Sequence, residues 1–184
     1  MIKVQMTTSA ESYTFQLPES FKLTKNFTLG EMANKEGNPL QPQYIFSAES
    51  QIFMDLFQAF REAYGHPIVP TSGHRQVDYN KKVSEDSTSL HLWSCAVDFV
   101  DKYNTDYLIM IAIWLRLLEV CSLIGAINIY TNGDTHRYHL EAFSNVHKKY
   151  THSRVRVYSN KAEYIKVAQI YKTLGYEVTY HGSN

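Results

Sequence analysis

An acid with apolar neighbours and two histidines at the margins of strand-like segments are the residues of this chain with the most chemistry to offer. Asp98 sits in Cys95-Ala-Val-Asp-Phe-Val100, a run whose other members demand burial. A buried carboxylate is costly unless a cation or several hydrogen-bond donors meet it. His91 stands seven residues earlier, at the edge of the same segment. A turn leading into a strand brings both onto one metal in one reading. In the plainer reading, His91 is a capping or half-buried histidine and backbone donors satisfy Asp98. A second imidazole, His139, lies in Arg137-Tyr-His-Leu-Glu141. One carboxylate and two imidazoles are a normal set for catalytic zinc, which leaves a fourth position for a water acidified into a nucleophile. Ser72-Gly-His-Arg75 reads as a strand-to-loop turn presenting an arginine, a residue that grips carboxylates bidentately but also serves in ordinary salt bridges. Asp134 and Glu141 are the acids near His139 that qualify as general base. His136 and His147 read as exposed, and Cys95, alternating with Ala96 into apolar context, is a poor nucleophile.

These residues need elements to position them. Residues 1–26 read as an extended lead-in that alternates through Ser12-Tyr-Thr-Phe-Gln-Leu17 and breaks at Pro18. Thr28, with Glu31 three residues on, has the spacing of a capping box. Residues 47–64 are helical in pattern, with Ile52, Leu56, Phe60 and Ala63 on one face, Phe53 and Phe57 flanking it, and Gly65 at the C′ position. Residues 68–75 read as a short strand and turn, 76–88 as a loop with a helical turn, and 92–100 as a strand. A long apolar helix over 105–123 follows, ending near Gly125. Ala126-Ile-Asn-Ile-Tyr130 alternates as a strand, Asn132-Gly133 is a hairpin signal, and Arg137 to Phe143 returns as the partner strand. The tail has a β-α-β rhythm, with Asn160 as N-cap and Gly175 as C′ residue. The class is α+β, with helices on a small, mostly antiparallel sheet. The expected division is an N-terminal lead-in (1–25), a catalytic domain (26–145) and a basic βαβ-like appendage (146–184) open to packing on the same sheet.

The composition narrows the function classes. The 184 residues are 44% hydrophobic and 14% aromatic, too apolar for disorder. Eighteen basic residues balance eighteen acidic ones, so no global basic field points to nucleic acid. Two cysteines, Cys95 and Cys121, exclude a disulfide scaffold and a four-thiolate zinc site, and both read as reduced core residues. The start carries no long apolar region, so no secretory signal is expected. Arg116 and Glu119 interrupt the greasiest stretch well before the ~18 residues of a membrane span. The expectation is a soluble protein made in the cytoplasm. Charge is nevertheless uneven: residues 1–136 carry a net −5 and residues 137–184 a net +5, with seven of the fourteen tyrosines in the latter. Such an end can favour a polyanionic surface.

Taken in order, Phe27-Thr-Leu-Gly-Glu-Met32, Ile68-Val-Pro-Thr-Ser-Gly-His-Arg-Gln76, Ser89-Leu-His-Leu-Trp-Ser-Cys-Ala-Val-Asp98, Ile129-Tyr130 and Arg137-Tyr-His-Leu-Glu141 resemble zinc peptidases of the D-Ala-D-Ala carboxypeptidase type. That group includes phage L-alanyl-D-glutamate endolysins and vancomycin-resistance D,D-dipeptidases, and shares its fold with the signalling domain of hedgehog proteins. The resemblance covers roughly residues 26–143. It implies one zinc held by His91, Asp98 and His139, Arg75 holding substrate near the metal, and Ser89 supporting the ligand loop. It also implies hydrolysis of peptidoglycan stem peptides next to a D-amino acid, by a D,D-carboxypeptidase or an L-alanyl-D-glutamate endopeptidase acting on the cell wall after release or phage delivery. The basic tail would add weak attachment to anionic wall polymers, with no nucleic acid and no membrane insertion. Two departures stand out. A glycine common in the His-to-Asp segment is Ser94 here, tolerable if its φ is negative. The catalytic acid often found three residues before the last histidine ligand is replaced by His136. Asp134 is then the expected base, His136 an auxiliary donor to the oxyanion, and Glu141 a residue that orients a ligand or shapes the substrate pocket. The alternative is a catalytically weak or inactive zinc-binding structural or virion module on the same fold.

Overall fold

The computed structural model describes residues 1–7, 11–33, 42–84, 86–131, 135–143 and 151–182. The chain forms two compact units, residues 1–58 with 70–97, and residues 59–69 with 98–184. Of the three divisions, one falls inside a helix, one inside a strand and one directly ahead of Pro70.

In the first unit, β1 (Ile2–Thr7) and β2 (Ser12–Leu17) pair antiparallel, Ile2 opposite Leu17 and Thr7 opposite Ser12. The lead-in is thus a sheet of its own. Ile2, Leu17 and Leu23 pack on Leu29, Ala33 and Ile45, which come from α1 (Leu29–Met32), its C-cap and α2 (Pro42–Ile45). The capping box forms as its spacing implies: Thr28 Oγ1 accepts from the Glu31 amide and the Glu31 carboxylate accepts from the Thr28 amide. α3 (Ala48–Tyr64) begins in this unit. Phe57 stacks on Phe27 at 4.3 Å and on Phe53 at 6.2 Å, and Gln58 ties down the loop ahead of α1 through Thr24 and Asn26. The buried face of α3 runs through Phe53, Leu56, Phe57, Phe60 and Tyr64, while Ile52 is 46% exposed. The aromatic residues at i, i+4, i+7 and i+11 outweigh the aliphatic set centred on Ile52 in deciding which stripe turns inward. Short β3 (Pro70–Ser72) and α4 (Val77–Val83) complete this part, followed by a 3₁₀ turn at Leu90–Trp93.

β4 (Ala96–Asp101) carries the chain into the second unit and neighbours β3 in the strand order. The strand expected over 92–100 is therefore shorter, because Ser94 adopts a left-handed conformation (φ 57°, ψ 28°) that ends the turn. Beyond it come α5 (Tyr107–Val120), β5 (Ile124–Tyr130), β6 (His136–Phe143), β7 (Arg154–Tyr158), α6 (Lys161–Tyr171) and β8 (Glu177–Tyr180). Strand order is β4-β6-β5-β7-β8. β5 and β6 are antiparallel, with Tyr130 opposite Arg137, whereas β5–β7 and β7–β8 are parallel. The fold is α+β as expected, and the C-terminal β-α-β rhythm makes the sheet mixed. Asn160 caps α6 by accepting from the Glu163 amide.

One sheet face is apolar. Phe60 meets Phe99 and Trp114 at 5.9 and 5.8 Å, Phe99 stacks on Tyr138 at 5.3 Å, and the Trp114 indole donates to the Ala126 carbonyl at 3.0 Å. Each such side chain taken from water contributes roughly 1.5–3 kcal/mol. Asp101, on this same face of β4, is buried but satisfied by the Tyr64 hydroxyl and by the amides of Tyr103 and Thr105. Cys95 is a core residue as expected, with burial pushing its thiol up to about 12. Cys121 is not: it is the exposed C-cap of α5, one residue past the helix that was expected to bury it. No helix of the described residues is long and apolar enough to cross a membrane.

Gly125 permits the β5–β6 approach, since a Cβ there would lie 2.2 Å from the Glu141 carbonyl oxygen. Gly125→Ala should therefore cost about 1–3 kcal/mol, read as a lowered thermal midpoint. An unchanged midpoint would contradict this strand register.

Candidate functional site

Side chains alternate across a strand, and this assigns the chemistry to the other sheet face. Asp98 lies on the opposite side of β4 from Phe99 and Asp101. On β6, Tyr138 and Leu140 are in the core, so Arg137, His139 and Glu141 face away from it. Asn128 is opposite His139 on β5, and Arg156 is beside Asn128 on β7.

Both ring nitrogens of His139 meet a carboxylate. Nδ1 is 2.6 Å from Asp98 Oδ1, and Nε2 is 3.1 Å from Glu141 Oε2. A neutral imidazole carries one N–H, so one nitrogen would present a lone pair to an anion. The arrangement needs a cation: a second proton on the ring, or a metal ion between His139 and Asp98. In the metal-free protein, burial pushes His139 down, but the hydrogen bonds and charges of Asp98 and Glu141 outweigh it and lift the ring to about 9. Glu141 is buried and forms an ion pair from Oε1 to Arg156 Nη1 at 3.2 Å, and Arg156 also donates to Asn128 Oδ1 at 3.2 Å. Glu141 thus orients His139 from behind, and Arg156 in turn neutralises Glu141. Sequence reasoning missed Arg156; the signal available was the alternation of Arg154-Val-Arg-Val-Tyr158, which places arginines on the polar face.

In the first unit, Nδ1 of buried His91 is 2.6 Å from the Gly73 carbonyl oxygen. A carbonyl can only accept, so Nδ1 carries the proton and Nε2 is the lone-pair nitrogen, the geometry of a metal-ligating histidine held by its backbone partner. Gly73 is obligatory here, because a Cβ would lie 2.4 Å from the Met32 carbonyl oxygen. Arg75 is fixed by Nε donating to Ser72 Oγ at 2.9 Å and by its amide donating to the His91 carbonyl at 2.9 Å. Ser89 is buried at the start of the 3₁₀ turn, and its hydroxyl does not cap that turn.

Ser94, whose φ is positive rather than negative, places its hydroxyl 2.9 Å from Nδ1 of buried His74. The hydrogen bond offsets part of the cost of left-handed backbone at a non-glycine residue. His136 is not brought to the His139 pair. Three residues separate the two on one strand, so they occupy opposite faces; the His136 ring is half-buried, its Nδ1 3.3 Å from the Thr105 carbonyl and its edge against Tyr107 and Tyr138. Asp134 and His147 lie outside the described residues.

Burial, with the nearby charge of His91 next, holds His74 down at about 4. The unfolded chain, with an ordinary histidine near 6.5, binds the proton more readily than the folded one. Stability should therefore fall as pH drops from about 6.5 to 4, by up to about 3 kcal/mol from this group. His74→Asn should flatten that segment of a melting-temperature profile; an unaltered slope would contradict the assignment.

None of the curated proteins compared with the chain is a match. A family model described as Peptidase M15 matches residues 24–125, more than half of the chain and a span that includes Arg75, His91 and Asp98. The chain belongs to the M15 peptidase family.

Proposed function

We propose that the protein is a zinc-dependent peptidase that hydrolyses peptidoglycan stem peptides next to a D-amino acid, with His91, Asp98 and His139 as the metal ligands. The observation that carries this reading is His139 flanked by Asp98 and Glu141, a pair of acids that calls for a cation. Membership of the M15 peptidases supports a metallopeptidase. His91, Asp98 and His139 also form a group, among the described residues, whose side chains suit a metal ion. The donor set fits zinc: two imidazoles, each fixed at its far nitrogen by an acceptor, and one carboxylate.

When bound, zinc supplies a Lewis acid for the scissile carbonyl and lowers the pKa of water toward neutrality. The protein's own groups do the rest. His91 keeps Nε2 unprotonated because Gly73 holds its Nδ1 proton. Glu141 holds the Nε2 proton of His139, which leaves Nδ1 as the ligand atom. Arg75, immobilised through Ser72, binds a carboxylate or carbonyl of the peptide and holds it in place. Asp134, between β5 and β6, is the proposed base that moves the proton from water to the leaving amine. Lysis of a bacterial wall after release or phage delivery is the setting proposed for this activity, with weak attachment to anionic wall polymers through the basic C-terminal quarter. A second reading, an inactive zinc-binding structural or virion module, is favoured by one observation: the residue three before His139 is His136, which faces the other side of β6.

Wild-type protein should bind about one zinc per chain and release peptide fragments from purified sacculi, read by metal analysis and by mass spectrometry of muropeptides. His91→Ala, Asp98→Ala and His139→Ala should each lose both properties. Asp134→Ala should retain zinc and lose about 10²–10⁴-fold in rate. Zinc bound without any peptide release would establish the second reading. At pH 7 zinc must displace the extra proton of His139, so calorimetry in buffers of different ionisation enthalpy should show release of about one proton; no release would contradict the protonated pair.

A further inference from the structure

The first unit contains a cavity of about 590 Å³, within the range of small-ligand sites. Its wall combines two kinds of group. Tyr44 and Trp93 meet edge to face at 5.1 Å, and Tyr44 lies parallel to the His74 ring at 6.2 Å, so three rings make a braced aromatic corner. Around it stand residues that carry planar polar groups, Gln5, Gln76, Asp78 and Arg75, the Gln5 amide also donating to Ser12 Oγ at 2.9 Å. Trp93 is 36% exposed, whereas the chain's other tryptophan, Trp114, is wholly buried.

This combination suits a particular chemistry. An aromatic face is electron-rich and prefers partners with polarised C–H edges. A pyranose offers such a C–H face and a rim of hydroxyls, each both donor and acceptor. Amides, carboxylates and guanidinium groups pair with hydroxyls in the plane of the ring. An apolar peptide side chain would use the aromatic corner and strand the polar rim, at the usual cost of unmet hydrogen bonds. Gln5 comes from β1, ahead of the family match over residues 24–125, so this part of the wall is additional to the family's shared core.

We propose that the cavity is a sugar subsite, taking a pyranose of the glycan strand that carries the peptide substrate. The inference rests on the peptidase reading and makes it more specific: the preferred substrate is glycan-linked peptide, not free peptide.

Two measurements test it separately from that reading. Titration with N,N′-diacetylchitobiose should change the Trp93 fluorescence saturably. Affinity should weaken about tenfold in Gln5→Ala and Tyr44→Ala, about the loss of one good aromatic or hydrogen-bonding contact, with zinc content and melting temperature as checks on folding. No saturable change, or wild-type affinity in both variants, would overturn the subsite. In the second measurement, wild type should cleave glycan-linked stem peptide at least about tenfold more efficiently than the same peptide freed from sugar. Trp93→Ala should bring that ratio close to one. Equal cleavage of both substrates by wild type would overturn the inference and leave the peptidase reading standing. Cleavage of neither would sink the peptidase reading, and the fluorescence titration would still decide the subsite.

Discussion

Two carboxylates on one imidazole is an arrangement that water would ordinarily dissolve. His139 is held between Asp98 and Glu141 on a largely buried sheet face, and a neutral ring, with its single N–H, would turn a lone pair toward one of the two carboxylates. A proton serves in the metal-free protein, where the two acids favour the protonated ring well above its usual range. In the proposed function a divalent ion would replace that proton. The rest of the second unit can be understood as support for this contact. β5 and β7 bring Asn128 and Arg156 behind Glu141, and the packed aromatic side of the same sheet fixes where β4 and β6 lie.

The first unit contributes by rigidity. Gly73 lies against the Met32 backbone so closely that no side chain fits, and its carbonyl fixes the His91 tautomer. Arg75 is tied to Ser72 and to the His91 backbone, so the expected metal ligand and the expected substrate clamp share one frame. The capping box of α1 and the hairpin packed on Leu29 and Ile45 hold Met32 where Gly73 needs it. The loop that carries His91 is held by several backbone contacts, as preorganised sites require.

Much of this was legible in the residues, because much of it is local. Thr28 with Glu31, Asn160 with Glu163, and Gly65 after Tyr64 are signals a few residues long, and the structure realises each, whereas Gly175, though at positive φ, lies three residues past the Lys172 cap of a helix that ends earlier than expected. What failed depended on competition or on distance. Ile52 lost its place in the core because the stripe of Phe53, Phe57 and Phe60 is larger. Ser94 was expected at negative φ, but the sharp exit from the 3₁₀ turn imposes the opposite sign and the His74 contact supports it. Arg156 reaches Glu141 through a parallel pairing of β5 with β7, a long-range register that no local pattern encodes. The position of His136 was recoverable: an odd separation from His139 on one strand already places it on the opposite face.

Whether a single ion joins His91, Asp98 and His139 is decided by crystals grown with zinc and measured at the zinc absorption edge. One strong anomalous peak is expected, bonded to His91 Nε2, His139 Nδ1 and an Asp98 oxygen at roughly 2.0–2.2 Å, with one coordination position left to solvent. A map without that peak, or with zinc bound by other residues while Asp98 and His139 share only a proton, would contradict it.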